Sequence, residues 1–141
     1  MTLPDTTGIE AKKSGFAPLP DGEYIGMIAK IDEGLSFEKQ TPFVNFEIDI
    51  KLGDYAGRKV WKRCYLKGDT EEKTKTMLGM YAGILESLGM TQEQRHAITT
   101  VEQLRAFALR LEVKIYVTQR EYNGKISNDV SSIDLNDESP F

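Results

Sequence analysis

The chain has 141 residues, of which 40% are hydrophobic and 28% charged, and its formal net charge is −4 at pH 7. This size and composition suit one compact domain and exclude a fibrous or wholly disordered protein. No stretch approaches the roughly 18 apolar residues of a membrane-spanning helix, and the N-terminus lacks the apolar core of a secretory signal. The single cysteine, Cys64, allows no intrachain disulfide, so we expect a cytoplasmic protein without membrane contact.

Residues 1–18 are polar and punctuated by proline and glycine, which predicts a flexible arm ahead of a domain over residues 19–132. Alternating apolar and polar side chains predict three strands, over residues 24–31, 43–51 and 58–66. In the first of these strands, the alternation places on one face Ile25, Met27, Ala29 and Ile31.

A helical segment follows the third strand. The spacing of apolar residues predicts a helix that is capped at Asp69 and ends before Gly89. A second, short helix is predicted to start at Thr91, and the pair Thr100 and Gln103 has the spacing of a capping box for a third.

Two further strands are predicted over residues 109–117 and 125–133, joined by a hairpin turn with an Asn-Gly pair. Three strands, a helical segment and two strands form the element order of the OB fold, a five-stranded, partly open barrel. We therefore predict a mostly β, OB-fold barrel with a helical insertion between strands 3 and 4. Its ligand face would be flanked by loops 32–42 and 119–124. An SH3-like barrel accommodates the helical insertion less easily.

Catalysis is poorly supported by the residues present. The one histidine, His96, lies in a polar segment, and Cys64 has no histidine beside it in the pattern. No metal-ligand spacing and no phosphate-binding glycine loop is visible. We therefore predict a protein that is not an enzyme and that uses neither a metal nor a cofactor.

The third predicted strand carries the densest positive charge. Residues 58–67 contain five basic side chains and no acidic one. One face of this strand alternates basic and aromatic side chains, a pattern that suits single-stranded nucleic acid, since cations hold phosphates while flat rings stack on unpaired bases. The alternation places on that face Lys59, Trp61, Arg63, Tyr65 and Lys67.

Neighbouring elements extend this predicted nucleic-acid site. The additional candidates are Lys62, Phe43, Asn45, Phe37, Lys39, Tyr116, Arg120 and Tyr122. Lys62 falls on the face that should be buried, which a bulge or a position at the barrel rim would accommodate. Equally, Trp61 and Tyr65 are open to interpretation as core residues beneath the helix.

Three stretches resemble single-stranded DNA-binding proteins of the OB-fold type encoded by phages. They are LPDGEYIGMI at 19–28, GDYAGRKVWKRCYL at 53–66 and EYNGKISNDV at 121–130. The most specific part is the run of Gly53, Tyr55, Gly57, Arg58, Lys59 and Val60. The resemblance covers residues 19–132 and implies a role in phage replication, recombination or repair, in the cytoplasm of the host cell.

The C-terminal residues 133–141 add to the resemblance. Single-stranded DNA-binding proteins of bacteria and phages end in an acidic segment closed by a hydrophobic residue, often as Pro-Phe. Here the matching residues are Asp134, Asp137, Glu138, Pro140 and Phe141. The resemblance implies a tail that recruits replication or recombination proteins, with the acids on a basic rim and the ring in an apolar pocket.

These observations predict a monomeric or homodimeric protein that binds single-stranded DNA with little sequence preference and recruits partner enzymes through its tail. A protein-interaction adaptor that uses the same fold without DNA is the main alternative. An annealing or recombination factor without a catalytic site is a further one.

Overall fold

The computed structural model describes residues 2–8 and 17–136 of the chain. These described residues form five strands and three helices. In chain order they are β1 Gly22–Leu35, β2 Pro42–Ile50, β3 Lys59–Tyr65, α1 Glu71–Ser87, α2 Gln92–Ala97, α3 Val101–Ala108, β4 Glu112–Tyr122 and β5 Lys125–Leu135. Among these residues, no helix combines the length and apolarity that crossing a membrane requires.

All five strands form one antiparallel sheet in the order β3-β2-β1-β4-β5. The edge strands β3 and β5 contact each other, so the sheet curls until its two edges meet. They do not pair by hydrogen bonds, and the sheet stays open. The prediction of a mostly β fold with five strands and helices between β3 and β4 is confirmed, whereas a closed barrel is not seen.

The core lies inside the curled sheet and beneath the helices. β2 contributes Val44, Phe46, Ile48 and Ile50 from alternate positions, as its sequence pattern predicts. β4 contributes Val113, Ile115 and Val117 in the same way. The helices add Leu85, Val101, Leu104 and Ala108, and Leu88 joins them from the C-cap of α1. Burial of these inner side chains leaves the alternate side chains of β2 and β3 on the outside.

The predicted face of β1 is wrong over most of its length. Ile28 and Ile31 are buried, whereas Ile25, Met27 and Ala29 are only half-buried. A β-bulge between Ile28 and Lys30 shifts the pairing with β2 by one residue. Since side chains alternate with a period of two, the extra residue moves the following positions to the opposite face.

The predicted helix ends are mostly confirmed. Thr91 and Thr100 cap α2 and α3, each within a capping box, and Gly89 follows α1 with a positive φ of 94°. The first helix, however, is capped by Thr70, whose side chain accepts a hydrogen bond from the Lys73 amide. Asp69, the predicted cap, lies one residue earlier.

The hairpin and the end of the sheet differ from prediction mainly in length. Asn123 and Gly124 both have positive φ, as the predicted Asn-Gly turn requires. β5 continues to Leu135, so Ile133 and Asp134 belong to the sheet and not to a tail. The other predicted tail residues, Asp137, Glu138, Pro140 and Phe141, lie outside the described residues.

Candidate nucleic-acid interface

The outward side chains of β2 and β3 form four cross-strand pairs, which together we call the outer face. The pairs are Phe43 with Tyr65, Asn45 with Arg63, Glu47 with Trp61, and Asp49 with Lys59. The face points outward because Val44, Val60 and Cys64, at the intervening positions, are buried in the core. The sequence pattern predicted this division of β3 correctly.

Two aromatic rings of the outer face are open to solvent. Trp61 is 52% exposed and Tyr65 is 38% exposed. The interpretation of these residues as core side chains beneath the helix is therefore wrong. Water-exposed rings beside cations are the arrangement on which unpaired bases stack.

At the Tyr65 end of the outer face, rings and a cation pack on one another. The rings of Phe43 and Tyr65 meet edge-on, with their centroids 6.1 Å apart. The Arg63 guanidinium carbon lies 3.9 Å from the centroid of Phe43, a cation–π contact. These contacts hold the two rings and the guanidinium together at one end of the outer face, while Arg63 itself remains exposed.

The Lys59 end is not simply basic. Lys59 Nζ lies 2.7 Å from Asp49 Oδ1 and 3.6 Å from Glu47 Oε2. The hydrogen bond with Asp49 is the main cause that raises the pKa of Lys59. Trp61 Nε1 also donates a hydrogen bond to Glu47 Oε1, over 3.2 Å. Carboxylates thus neutralise part of the positive charge that the sequence of β3 alone suggests.

A groove of about 660 Å³ continues the outer face beyond Tyr65. It runs between loop 36–41, the end of β3 and the start of α1. Four basic and two acidic side chains line it, a formal charge of +2; the basic ones are Lys39, Arg63, Lys67 and Lys73. Lys39 lies 3.5 Å from Asp69, while Lys67 has no carboxylate within 4.0 Å in the part of the chain that is described. We call this the loop groove.

Phe37 stands at the wall of the loop groove and is 94% exposed. Five predicted site residues therefore meet here: Phe37, Lys39, Arg63, Tyr65 and Lys67. Lys73 was missed by the sequence analysis, because it belongs to α1 and only the turn after β3 brings it to the sheet. The predicted loop is also shorter than expected, since β1 continues to Leu35.

A second groove, of about 550 Å³, lies where the edge strands β3 and β5 approach each other. Trp61 and Arg58 line one side, and Ile126 and Asn128 line the other. The chain segment before β1 borders this groove at Pro18. Arg58 Nη2 holds that segment by donating to the carbonyl of Ala17 over 2.7 Å.

Other predicted site residues are not part of either groove. Lys62 lies opposite buried Phe46 in the register and lines a small pocket against α1, a pocket that Arg63 and Tyr65 also line. Tyr116, Arg120 and Tyr122 are exposed on β4, which is separated from β2 by β1. The structure therefore does not bring these four residues to the outer face.

The most specific stretch of the sequence resemblance has a structural explanation. Gly53 and Gly57 take positive φ values of 87° and 93° in the connection from β2 to β3. The Tyr55 ring packs edge-on against Tyr24, with centroids 6.0 Å apart. Backbone hydrogen bonds then join Ile50 to both Gly57 and Arg58. This connection fixes the register that places Trp61 opposite Glu47.

Nucleophilic and metal chemistry have little support at the described residues. Burial raises the pKa of the Cys64 thiol to about 11, which keeps it protonated at neutral pH. Within residues 2–8 and 17–136, no three His, Cys, Asp or Glu side chains cluster in a way that would hold a metal ion.

Comparison with known proteins gives one assignment. No curated protein matches the chain. A family model does match over residues 6–140, which is nearly the whole sequence. The chain accordingly belongs to the DUF669 family, described as a protein of unknown function.

Proposed function

We propose that this protein binds single-stranded DNA along the outer face of β2 and β3 and through the loop groove. The observation that carries the proposal is the exposure of Trp61 and Tyr65 on a sheet surface beside Arg63 and the cationic loop groove. A soluble protein gains nothing in stability from leaving such rings in water, so a ligand that covers them is the physical explanation.

The two parts of the surface have different tasks in this proposal. Trp61, Tyr65 and Phe37 offer ring faces to successive unpaired bases, each stacked base contributing about 1–3 kcal/mol. Lys39, Arg63, Lys67 and Lys73 neutralise the phosphates of the same strand. Backbone contact combined with stacking makes the binding tolerant of sequence, because every base has a flat face.

The strand order and the helices between β3 and β4 support an OB-type architecture for this site. In such folds, the faces of the second and third strands and the adjoining loops bind oligonucleotides. The acidic, Phe-terminated C-terminus supports recruitment of replication or recombination proteins, with the phage setting implied by the sequence resemblance. Both elements belong to the proposal together with DNA binding.

Fluorescence anisotropy of a labelled 30-nucleotide oligo-dT, compared with a duplex of equal length, tests the proposal. We expect tighter binding to the single strand and an affinity that falls as salt rises, because neutralised phosphates release counterions. Absence of binding would favour the alternative of a protein-interaction adaptor. Preference for the duplex, or an affinity insensitive to salt, would contradict the proposed site.

A further inference from the structure

The outer face carries a carboxylate next to its most exposed large ring, which simple attraction to DNA does not explain. Glu47 lies opposite Trp61 in the sheet register, and its Oε1 accepts the indole N–H over 3.2 Å. A negative group beside a platform for a polyanion weakens general affinity. Its presence therefore calls for a specific task at this position.

The hydrogen bond fixes where Glu47 lies relative to the ring. An indole N–H lies in the plane of its ring, so the carboxylate that accepts it sits at the ring edge and leaves the ring faces open. A base stacked on Trp61 thus has its own edge close to the carboxylate. The Glu47 side chain is 22% exposed, so an incoming base can reach it.

The donors closest to Glu47 among the described residues are the Lys59 ammonium and the Trp61 indole N–H, and both are engaged by carboxylates. An ionised carboxylate accepts hydrogen bonds and donates none. The nearest ammonium, Lys59 Nζ, is directed at Asp49 and Glu47, at 2.7 and 3.6 Å. The single indole donor is itself bonded to Glu47. A base at Trp61 therefore meets an edge that attracts amino groups and repels keto oxygens.

We propose that Trp61 and Glu47 form a base-selective position that favours a base with an exocyclic amino group over thymine or uracil. Carboxylates accept hydrogen bonds from the N4 amino group of cytosine. Uracil and thymine present a keto oxygen at the same place, and their one donor on that edge, N3–H, lies one ring position away. The inference rests on the proposed binding of single-stranded DNA and adds one discriminating position to an otherwise sequence-tolerant surface.

Oligo-dC and oligo-dU of 30 nucleotides form a matched pair of probes. They differ at position 4 of the base, amino against keto, and at N3, which is an acceptor in cytosine and a donor in uracil; neither carries a methyl group at position 5. With full-length protein at pH 8, where cytosine is uncharged, we expect oligo-dC to bind about three- to tenfold more tightly, the net effect of one ordinary hydrogen bond in a partly solvated position.

Glu47→Gln tests the preference for an amino group without removing the hydrogen bond to Trp61. The amide oxygen still accepts the indole N–H, while the amide nitrogen presents a donor to the base. We expect this variant to lose or reverse the preference for oligo-dC. Glu112→Gln is the matched control, because it removes the same charge from an exposed side chain on β4, two strands from β2, and should retain the preference.

The possible results separate failure of the base-selective position from failure of the proposed DNA binding. Equal binding of both oligonucleotides by the unmodified protein would overturn the base-selective position and leave DNA binding intact. An unchanged preference in Glu47→Gln would likewise overturn the role of Glu47. Failure to bind either oligonucleotide would overturn the proposed function itself, and this inference with it.

Discussion

Replacement of Trp61 by alanine separates a binding role from a stabilising one. The side chain is 52% exposed, so about half of its surface, on the order of 100 Å², is removed from water in the folded protein. At about 25 cal/mol per Å², its loss costs at most about 2.5 kcal/mol of unfolding free energy. Truncation of the fully buried Phe46 costs about 3–5 kcal/mol and is the matched core comparison.

The same replacement should also lower the affinity for single-stranded DNA. Loss of one stacked base removes about 1–3 kcal/mol, which is about 5- to 150-fold in affinity. Trp61→Phe retains a ring and should lose much less. Thermal unfolding followed by circular dichroism, and anisotropy titration with oligo-dT, measure the two quantities. The reasoning is refuted if Trp61→Ala is destabilised as strongly as Phe46→Ala while its affinity for the oligonucleotide is unchanged.

Three other outcomes follow from the site, the core and the C-terminus. Lys67→Gln should weaken DNA binding and lower the slope of log affinity against log salt concentration by about one. Lys125→Gln on the hairpin is the control and should leave the affinity and the slope unchanged. Equal effects of the two replacements would place the phosphates elsewhere. At pH 8, Cys64 should react with a thiol reagent about two orders of magnitude more slowly in the native protein than in the unfolded protein. The reason is that burial raises the pKa of this thiol from 9.0 to about 11, and equal rates would contradict its burial. A protein truncated after Asn136 should keep its fold, bind DNA more tightly at low salt because acidic charge is lost, and fail to capture partner proteins. Phe141→Ala should lose the capture of partners but keep its affinity for DNA. An unchanged set of captured proteins would remove the recruitment role.

The limits of that truncation illustrate how the structure refines the sequence prediction. A tail beginning at residue 133 was predicted, yet Ile133 is only 2% exposed within β5. Leu135 lies close to Gly89, where an added Cβ would meet it at 3.3 Å. Removal of residues 133–136 would therefore damage the sheet, and only a later truncation tests the tail.

Strand faces were predictable where the chain alternates without interruption. β2 keeps a strict period of two and β3 departs from it only at Lys62, so Phe46 was assigned inward and Trp61 outward correctly. β1 contains a bulge between Ile28 and Lys30, which no local pattern announces because the extra residue, Ala29, is compatible with either face.

The chemistry of the outer face was predictable in part. Its rings and cations follow from the alternation in β3, but the neutralising carboxylates depend on register. Asp49 pairs with Lys59 because the connection between β2 and β3 is short and tight. Gly53 and Gly57, which take positive φ in this connection, were the sequence signal for such a turn. The loop groove was not predictable, since Lys73 reaches it only through the packing of α1 on β3.

The emission of the chain's single tryptophan tests the central claim most directly, because it reports on Trp61 alone. The full-length protein is titrated with unlabelled oligo-dT and, separately, with a duplex of equal length. Stacking of bases on Trp61 predicts saturable quenching by the single strand at concentrations that match the anisotropy titration, with much weaker quenching by the duplex. Binding of oligo-dT that leaves the emission unchanged would contradict the account, because it would place the DNA away from the outer face.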